Sequence, residues 1–305
     1  MKTFFVVNPS SANGSTGKRW AELQAKVARA IPDFDHAFTQ RPMHAADLAR
    51  EAIHQGYECV VAVGGDGTIN EVTNGFFENG AVINPKAALG VVSRGTGGDF
   101  RKTFGWDTDF DQALQRVAHG TNVPFDVGLL EFRTHDGQTG RRYFANICSF
   151  GVSGVVDQEV NRTSKALGGK LSFMFASAKA MLKYDDRKVR MSLDGGPAEE
   201  VLVTTLAVAN GKYFGGGMKV APDAEVSDGV FDVTLWSGYG LMDFALKQGS
   251  IYSGEHVNWK GTRRLKCKTF SAESAQEVLI DCDGEQPGKL PCKMTILPSA
   301  IFLRT

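Results

Sequence analysis

Gly64-Gly65-Asp66-Gly67-Thr68 follows the apolar run Cys59-Val60-Val61-Ala62-Val63 and precedes Ile69-Asn70-Glu71-Val72. That order reads as a strand, a glycine turn and a helix start. Glycines let the backbone turn sharply and come close to a ligand. The amides of the following helix N-terminus favour an anion, phosphate above all. Asp66 inside the turn would repel a bare phosphate unless a cation or a sugar hydroxyl lay between. A glycine turn carrying an acid therefore points to a nucleotide with a metal. Three further segments share this polar chemistry: Asn8-Pro9-Ser10-Ser11-Ala12-Asn13-Gly14 with Lys18 soon after, Thr39 near His44, and Ser93-Arg94-Gly95-Thr96-Gly97-Gly98-Asp99-Phe100. Each one alone is ordinary turn chemistry; the weight lies in four together. The chain has neither the GxxxxGK[ST] of the P-loop nor a GxGxxG opening a helix after its first strand.

The elements that must carry these loops alternate. Residues 3–7 read as a buried strand. Residues 18–30 read as a helix with Trp20, Leu23, Val27 and Ala30 on one face. A strand at 36–39, a helix at 44–55 stopped by Gly56, the strand at 59–63, a helix to about 75 and a strand at 88–92 complete the rhythm. Such βαβα order predicts a parallel sheet with helices on both faces. Ligands of open parallel sheets gather at the carboxyl ends of the strands, which places all four loops on one edge. Beyond about residue 125, strand-like runs dominate, at 126–132, 143–150, 189–193, 201–209, 230–236, 264–270, 278–281 and 292–297. Several alternate apolar and polar residues, as half-buried antiparallel strands do. Helical stretches at 164–184 and 241–253 interrupt them. The expected architecture is an α/β N-terminal domain over 1–125 and a β-sandwich-like domain over 126–298. Residues 299–305 form a closing segment able to pack back on the N-terminal domain.

The 305 residues carry 34 Lys and Arg against 34 Asp and Glu, so net charge gives no sign of a nucleic-acid partner. The five cysteines are scattered, with no CxxC, which favours a reducing compartment, and the histidines show no zinc spacing. The apolar start is too short for a signal peptide, and no run of about 18 apolar residues exists to span a membrane. Lipid contact would be peripheral. The apolar stretch at 171–182, ending in Lys183-Tyr184-Asp185-Asp186-Arg187-Lys188, reads as a core helix or, less favoured, a bilayer-surface helix.

Several segments together resemble the diacylglycerol kinase catalytic family, which includes bacterial soluble lipid kinases, sphingosine kinases and ceramide kinases. In the first half these are Asn8-Pro9, Gly64-Gly65-Asp66-Gly67-Thr68 with Asn70-Glu71, and Gly95-Thr96-Gly97-x-Asp99-Phe100. In the second they are Asp126-Val127-Gly128, Asn146 with Ser149-Phe150-Gly151, Asn210-Gly211-x-Tyr213-Phe214-Gly215-Gly216-Gly217, Ala221-Pro222-x-Ala224, Asp228-Gly229 and Asp283-Gly284-Glu285. The motifs span almost the whole chain in family order, and the compact length is most similar to the bacterial members.

The resemblance implies an ATP-binding N-terminal domain like that of NAD kinase and phosphofructokinase, a C-terminal β-sandwich and an active cleft between them. It implies ATP contacts from Asn8, Ser10, Thr39, Gly64, Gly65, Asp66, Gly67, Thr68, Asn70 and Thr96. Asp66 would work with the nucleotide's Mg2+, and Asp99 and Asp126 would support that network. Glu285 or Asp283 would take the hydroxyl proton of the acceptor. A structural magnesium would lie on Asp228 with backbone oxygens of Glu225 and Val230. Read alone, Asp228-Gly229 and Asp283-Gly284 are ordinary turn dipeptides. The implied activity is transfer of the γ-phosphate of ATP to a hydroxyl of diacylglycerol or a related lipid met at the membrane surface. The implied location is cytoplasmic, with peripheral membrane association and homodimer formation left open. The alternatives are an NAD-kinase-like small-molecule kinase and a non-catalytic nucleotide- or lipid-binding protein. Two departures stand out. Gly98 replaces the Asn usual before the motif's Asp, and Ser93-Arg94 stands where Pro is frequent; Arg94 either adds a phosphate contact or points into solvent.

Overall fold

A computed structural model describes residues 1–95, 97–156 and 184–305. It divides into two compact units, Met1–Val127 with Pro298–Thr305, and Gly128–Leu297. The apolar stretch at 171–182 lies outside the described residues, as does nearly all of the helix expected at 164–184.

The N-terminal unit is built on strands β1 (Thr3–Val7), β2 (Phe34–Phe38), β3 (Cys59–Gly64) and β6 (Ala88–Ser93), with β4 (Phe77–Glu78) and β5 (Ala81–Val82) forming a small separate hairpin. β1 pairs in parallel with β2 and β3, and β3 with β6. All six residues of β3 are buried, as befits a strand covered on both faces. The helices are α1 (Ser15–Lys18), α2 (Trp20–Ala30), α3 (His44–His54), α4 (Asp66–Gly75), α5 (Asp99–Thr103) and α6 (Phe110–His119). Trp20, Leu23 and Val27 of α2 and Phe110, Leu114 and Val117 of α6 pack on Phe5, Val7, Val61 and Val63 of one sheet face. Two boundaries differ from the sequence reading. The second strand begins at Phe34, where Asp35-His36 breaks the apolar/polar alternation and weakens the period-two signal. The glycine- and serine-rich stretch before α2 closes into the short helical turn α1.

The C-terminal unit is a β-sandwich. The described strands are β8 (Thr139–Phe144), β9 (Ile147–Gly151), β10 (Arg187–Leu193), β11 (Glu199–Val203), β12 (Thr205–Ala209), β13 (Phe231–Trp236), β14 (Thr262–Cys267), β15 (Thr269–Glu273) and β16 (Leu279–Cys282). The long strands β7 (Asn122–Arg133) and β17 (Glu285–Arg304) belong to both units. β14, β13, β12, β9 and β16 pair antiparallel in that order, and β11, β10 and β15 form a second antiparallel run. Phe144, Phe150, Phe231, Phe270, Ile280 and Met294 fill the core between them. A helix, α7 (Leu241–Ser253), follows β13. Three runs expected as single strands are split by polar chemistry. The 143–150 run breaks at Ala145-Asn146, whose amides donate to Asp283. The 201–209 run breaks at Thr204, which donates to Asp186. The 264–270 run breaks at Lys268, where the Lys268 and Thr269 amides both donate to Asp194 at 2.8 Å. The expected strand at 292–297 is one stretch of β17, whose last residues return to the N-terminal unit, with Phe302 and Leu303 parallel to Ala88 and Leu89 of β6. All five cysteines are buried free thiols. No helix among the described residues is long and apolar enough to cross a membrane.

Candidate active site

The parallel register sets Val7 beside both Phe38 and Val63, and Val63 beside Val92. The carboxyl ends of β1, β2, β3 and β6 are therefore level, and the four polar loops leave from one edge. Asn8 ties two of them together: its Nδ2 donates to Thr68 Oγ1 at 3.0 Å, and its Oδ1 accepts the Ser10 amide at 3.0 Å. The Thr39 amide donates to Val7 O at 2.9 Å. Thr68 folds back over Gly64, where a Cβ would lie 2.3 Å from Thr68 Oγ1. A Cβ on Gly95 would lie 2.6 Å from Gly65 Cα, and the Arg94 amide donates to Gly64 O at 2.7 Å. The third and fourth loops thus touch backbone to backbone, and side chains are excluded from their junction.

Asp66 opens α4, and its carboxylate reaches across this junction. Oδ2 accepts the Asp99 amide and Oδ1 the Phe100 amide, each at 3.1 Å, so Asp66 caps the first turn of α5 from another element. Asp99 is buried and paired with Lys102 at 2.8 Å. A Cβ at Gly97 would sit 3.2 Å from Asp66 Oδ2 and 3.9 Å from Asp99 Oδ2, so both carboxylates border one small space. The oxygens nearest this space are Asp66 Oδ2 and Asp99 Oδ2, Asp99 Oδ1 being taken by the Lys102 ammonium. Asp126, fully buried, accepts the Ser299 amide at 2.6 Å and binds β7 to the returning β17 chain.

The two departures acquire a physical reading. Gly98 has φ 60 and ψ 39 before α5, the left-handed region that glycine and asparagine both tolerate, so the exchange keeps the loop's backbone course. Arg94 is held inward: Nε donates to Thr16 Oγ1 at 2.9 Å and Nη2 to Ser15 Oγ at 3.3 Å. Its hydrogen bonds go to hydroxyls rather than to a carboxylate. Gly67 lies in the first turn of α4, while Asn70 is wholly buried one turn on and accepts from Asn74 Nδ2 at 3.3 Å. Thr96 lies outside the described residues.

In the C-terminal unit, Asp283 and Gly284 form the two-residue turn between β16 and β17, with φ 52 and 86. Positive φ at both positions is the type I′ hairpin pattern. The Asp283 side chain then accepts three amides, from Ala145 at 2.9 Å, Asn146 at 3.1 Å and Ile147 at 2.9 Å. It anchors the break between β8 and β9. Glu285, next in β17, is exposed. Asp281 beneath the turn accepts the Gly284 amide at 2.8 Å and the Ser149 hydroxyl at 3.0 Å. Sequence reasoning missed these anchoring roles, because a carboxylate that holds backbone carries the same letters as one that does chemistry.

The implied structural magnesium site is arranged differently. Asp228 Oδ1 accepts the Val230 amide at 3.2 Å, and Asp228 Oδ2 lies 3.2 Å from the Lys266 ammonium. Glu225 is exposed in the same loop. Among the described residues no group of three or more His, Cys, Asp or Glu side chains could hold a metal ion. With an ammonium against the one carboxylate of the set, Asp228, Glu225 and Val230 do not fit a bound divalent cation.

Comparison with known proteins covers nearly the whole chain. The diacylglycerol kinase catalytic domain model matches residues 2–130, and the YegS C-terminal NAD kinase beta sandwich-like domain model matches residues 146–305. A diacylglycerol kinase of Bacillus subtilis (strain 168) is 27% identical over 288 residues, covering 94% of this chain and 90% of that protein. One of Staphylococcus carnosus (strain TM300) is 26% identical, covering 98% and 94%. Among solved structures, a Bacillus anthracis diacylglycerol kinase superposes with a TM-score of 0.72 at 20% identity, covering 99% and 96%. Yeast NADH kinase complexed with NADH reaches 0.53 at 11% identity, covering 99% and 83%.

Proposed function

Because the chain belongs to the diacylglycerol kinase family, we propose that it transfers the γ-phosphate of ATP to a hydroxyl of diacylglycerol or a related lipid. The observation that carries this reading is the pairing of a catalytic-domain match over the glycine-loop edge with a C-terminal match over the Asp283-Gly284-Glu285 hairpin. Yeast NADH kinase, a small-molecule kinase, shares the fold at only 11% identity, while the relatives aligned at 26–27% identity over 94–98% of the chain are named diacylglycerol kinases.

The residues take roles that follow from their chemistry. Phosphoryl transfer needs positioning and charge neutralisation more than covalent help. Asn8, Ser10, Thr39 and the Gly64–Thr68 turn form the rim on which the nucleotide rests. Arg94, with its guanidinium steadied by two hydroxyls, faces the charge of the phosphates. Asp66 and Asp99 would hold the nucleotide's magnesium, which neutralises phosphate charge when bound. Glu285 is the general base for the lipid hydroxyl. Asp283, with three amides on its oxygens, positions it. The lipid is met from the membrane surface by a chain with no spanning helix among its described residues.

The test is a transfer assay with γ-labelled ATP and mixed micelles carrying diacylglycerol, monoacylglycerol, phosphatidylglycerol, sphingosine or a polyprenol. Label is expected in the organic-extractable product of at least one lipid. Label found only in NADP or another water-soluble product would overturn the lipid reading.

A further inference from the structure

The strongest departure from the family expectation lies in the loop before β13. Lys266 of β14 stands directly opposite Asp232 of β13 in the antiparallel register. Opposite charges in such cross-strand pairs attract. Its Nζ lies 3.2 Å from Asp232 Oδ2 and equally 3.2 Å from Asp228 Oδ2. The ammonium therefore bridges a loop carboxylate to a sheet carboxylate whose side chain is only 6% exposed. Arg264, two residues along β14, lies 2.6 Å from Asp223 Oδ2 and 3.8 Å from Asp232 Oδ1. Three carboxylates of the loop and strand are thus met by two cationic side chains of one neighbouring strand. The amide of Val230 closes the turn on Asp228 Oδ1.

A magnesium ion demands oxygen ligands at about 2.1 Å in octahedral array. Placed on Asp228 Oδ2, it would sit beside an ammonium already within contact of that oxygen, and the two cations would repel. The ammonium does the cross-linking a divalent ion would do: it takes charge from two carboxylates on different segments and fixes their separation. It is covalently part of β14, so it is never diluted away.

We propose that Lys266 is a built-in replacement for the structural cation of this loop, so that the 223–232 segment of this chain keeps its fold without magnesium. The inference concerns the C-terminal unit alone and stands apart from the choice of substrate.

The experiment is thermal melting of the full chain, free of nucleotide and lipid, in EDTA and in millimolar magnesium chloride. The wild type is expected to melt at the same temperature in both. Lys266→Met leaves Asp228 without its cation and Asp232 with only the more distant Arg264, so it is expected to melt lower in EDTA and to regain several degrees in magnesium. Asp228→Asn in that background should remove the regain, and Lys266→Arg should behave as wild type. A wild type that loses stability in EDTA and recovers with magnesium would overturn the proposal, as would a Lys266→Met variant indifferent to the metal. Should Lys266→Met fail to fold, calorimetric titration of the wild type with magnesium decides. Binding that Asp228→Asn abolishes counts against the proposal, and no binding at this loop supports it. Because nucleotide is absent throughout, none of these outcomes bears on whether the chain phosphorylates lipid.

Discussion

Asp283 and Glu285 show how two acids of one short motif come to differ. The Asp283 carboxylate is committed to three backbone amides across the β8–β9 break, while Glu285 is exposed one residue past the turn. Asp283→Asn would set an amide N–H against backbone N–H groups. We expect it to destabilise the protein by about 2–3 kcal/mol, read by urea denaturation, along with any loss of activity. Glu285→Gln should leave stability within about 0.5 kcal/mol and lower kcat on the order of 100-fold. The reverse pattern, a stable inactive Asp283→Asn beside an active Glu285→Gln, would exchange the two roles. Asp66→Ala removes an acceptor for two α5 amides as well as the proposed contact to the nucleotide's magnesium. It should abolish measurable turnover, with a stability loss of about 1–3 kcal/mol; unchanged turnover would remove Asp66 from the metal network.

At the scale of elements, the proposed nucleotide edge depends on how closely two loops approach. Gly95→Ala would drive a Cβ to 2.6 Å from Gly65 Cα, which only backbone movement relieves. The expected outcome is a KM for ATP raised about tenfold or more with the fold retained, since an ångström of misplacement in a binding loop is costly. A matched control lies in α6, where Asp109 caps the helix through the Gln112 amide at 2.8 Å. Asp109→Ala should lower stability by about 1 kcal/mol and leave the kinetics of any phosphorylated lipid unchanged. The glycine turn and its flanking strand and helix were legible from local order, because their residues are neighbours in the chain. The β8–β9, β11–β12 and β14–β15 breaks were not. Each rests on a distant side chain, Asp283, Asp186 or Asp194, that no window of sequence contains.

Across the whole molecule, buried titratable groups couple folding to pH. His256 is fully buried between Trp236 and Trp259, and burial holds its pKa below the ordinary 6.5, partly opposed by its contact with Val220 O. Half-buried His36 is shifted the same way, by burial. The unfolded chain takes up these protons more readily than the folded one. Stability is therefore fully present above pH 6.5 and lost as the pH falls from there through the folded pKa values. Urea denaturation at stepped pH should show that decline, and His256→Phe should flatten it; an equal slope in the variant would place the coupling elsewhere. The chain by itself determined the fold class and the family. Hydrophobic period and the order of glycine and acid motifs are local properties that survive without coordinates. It also determined that four polar loops share one edge, since the carboxyl ends of parallel strands joined by helical crossovers lie on the same side of the sheet. Only the tertiary structure decided what the acids do. Asp66 and Asp283 are held by amides from other elements, and Asp228 meets Lys266 from the strand beside its loop. A carboxylate's role is set by which donors surround it, and those donors lie 33 to 138 residues away.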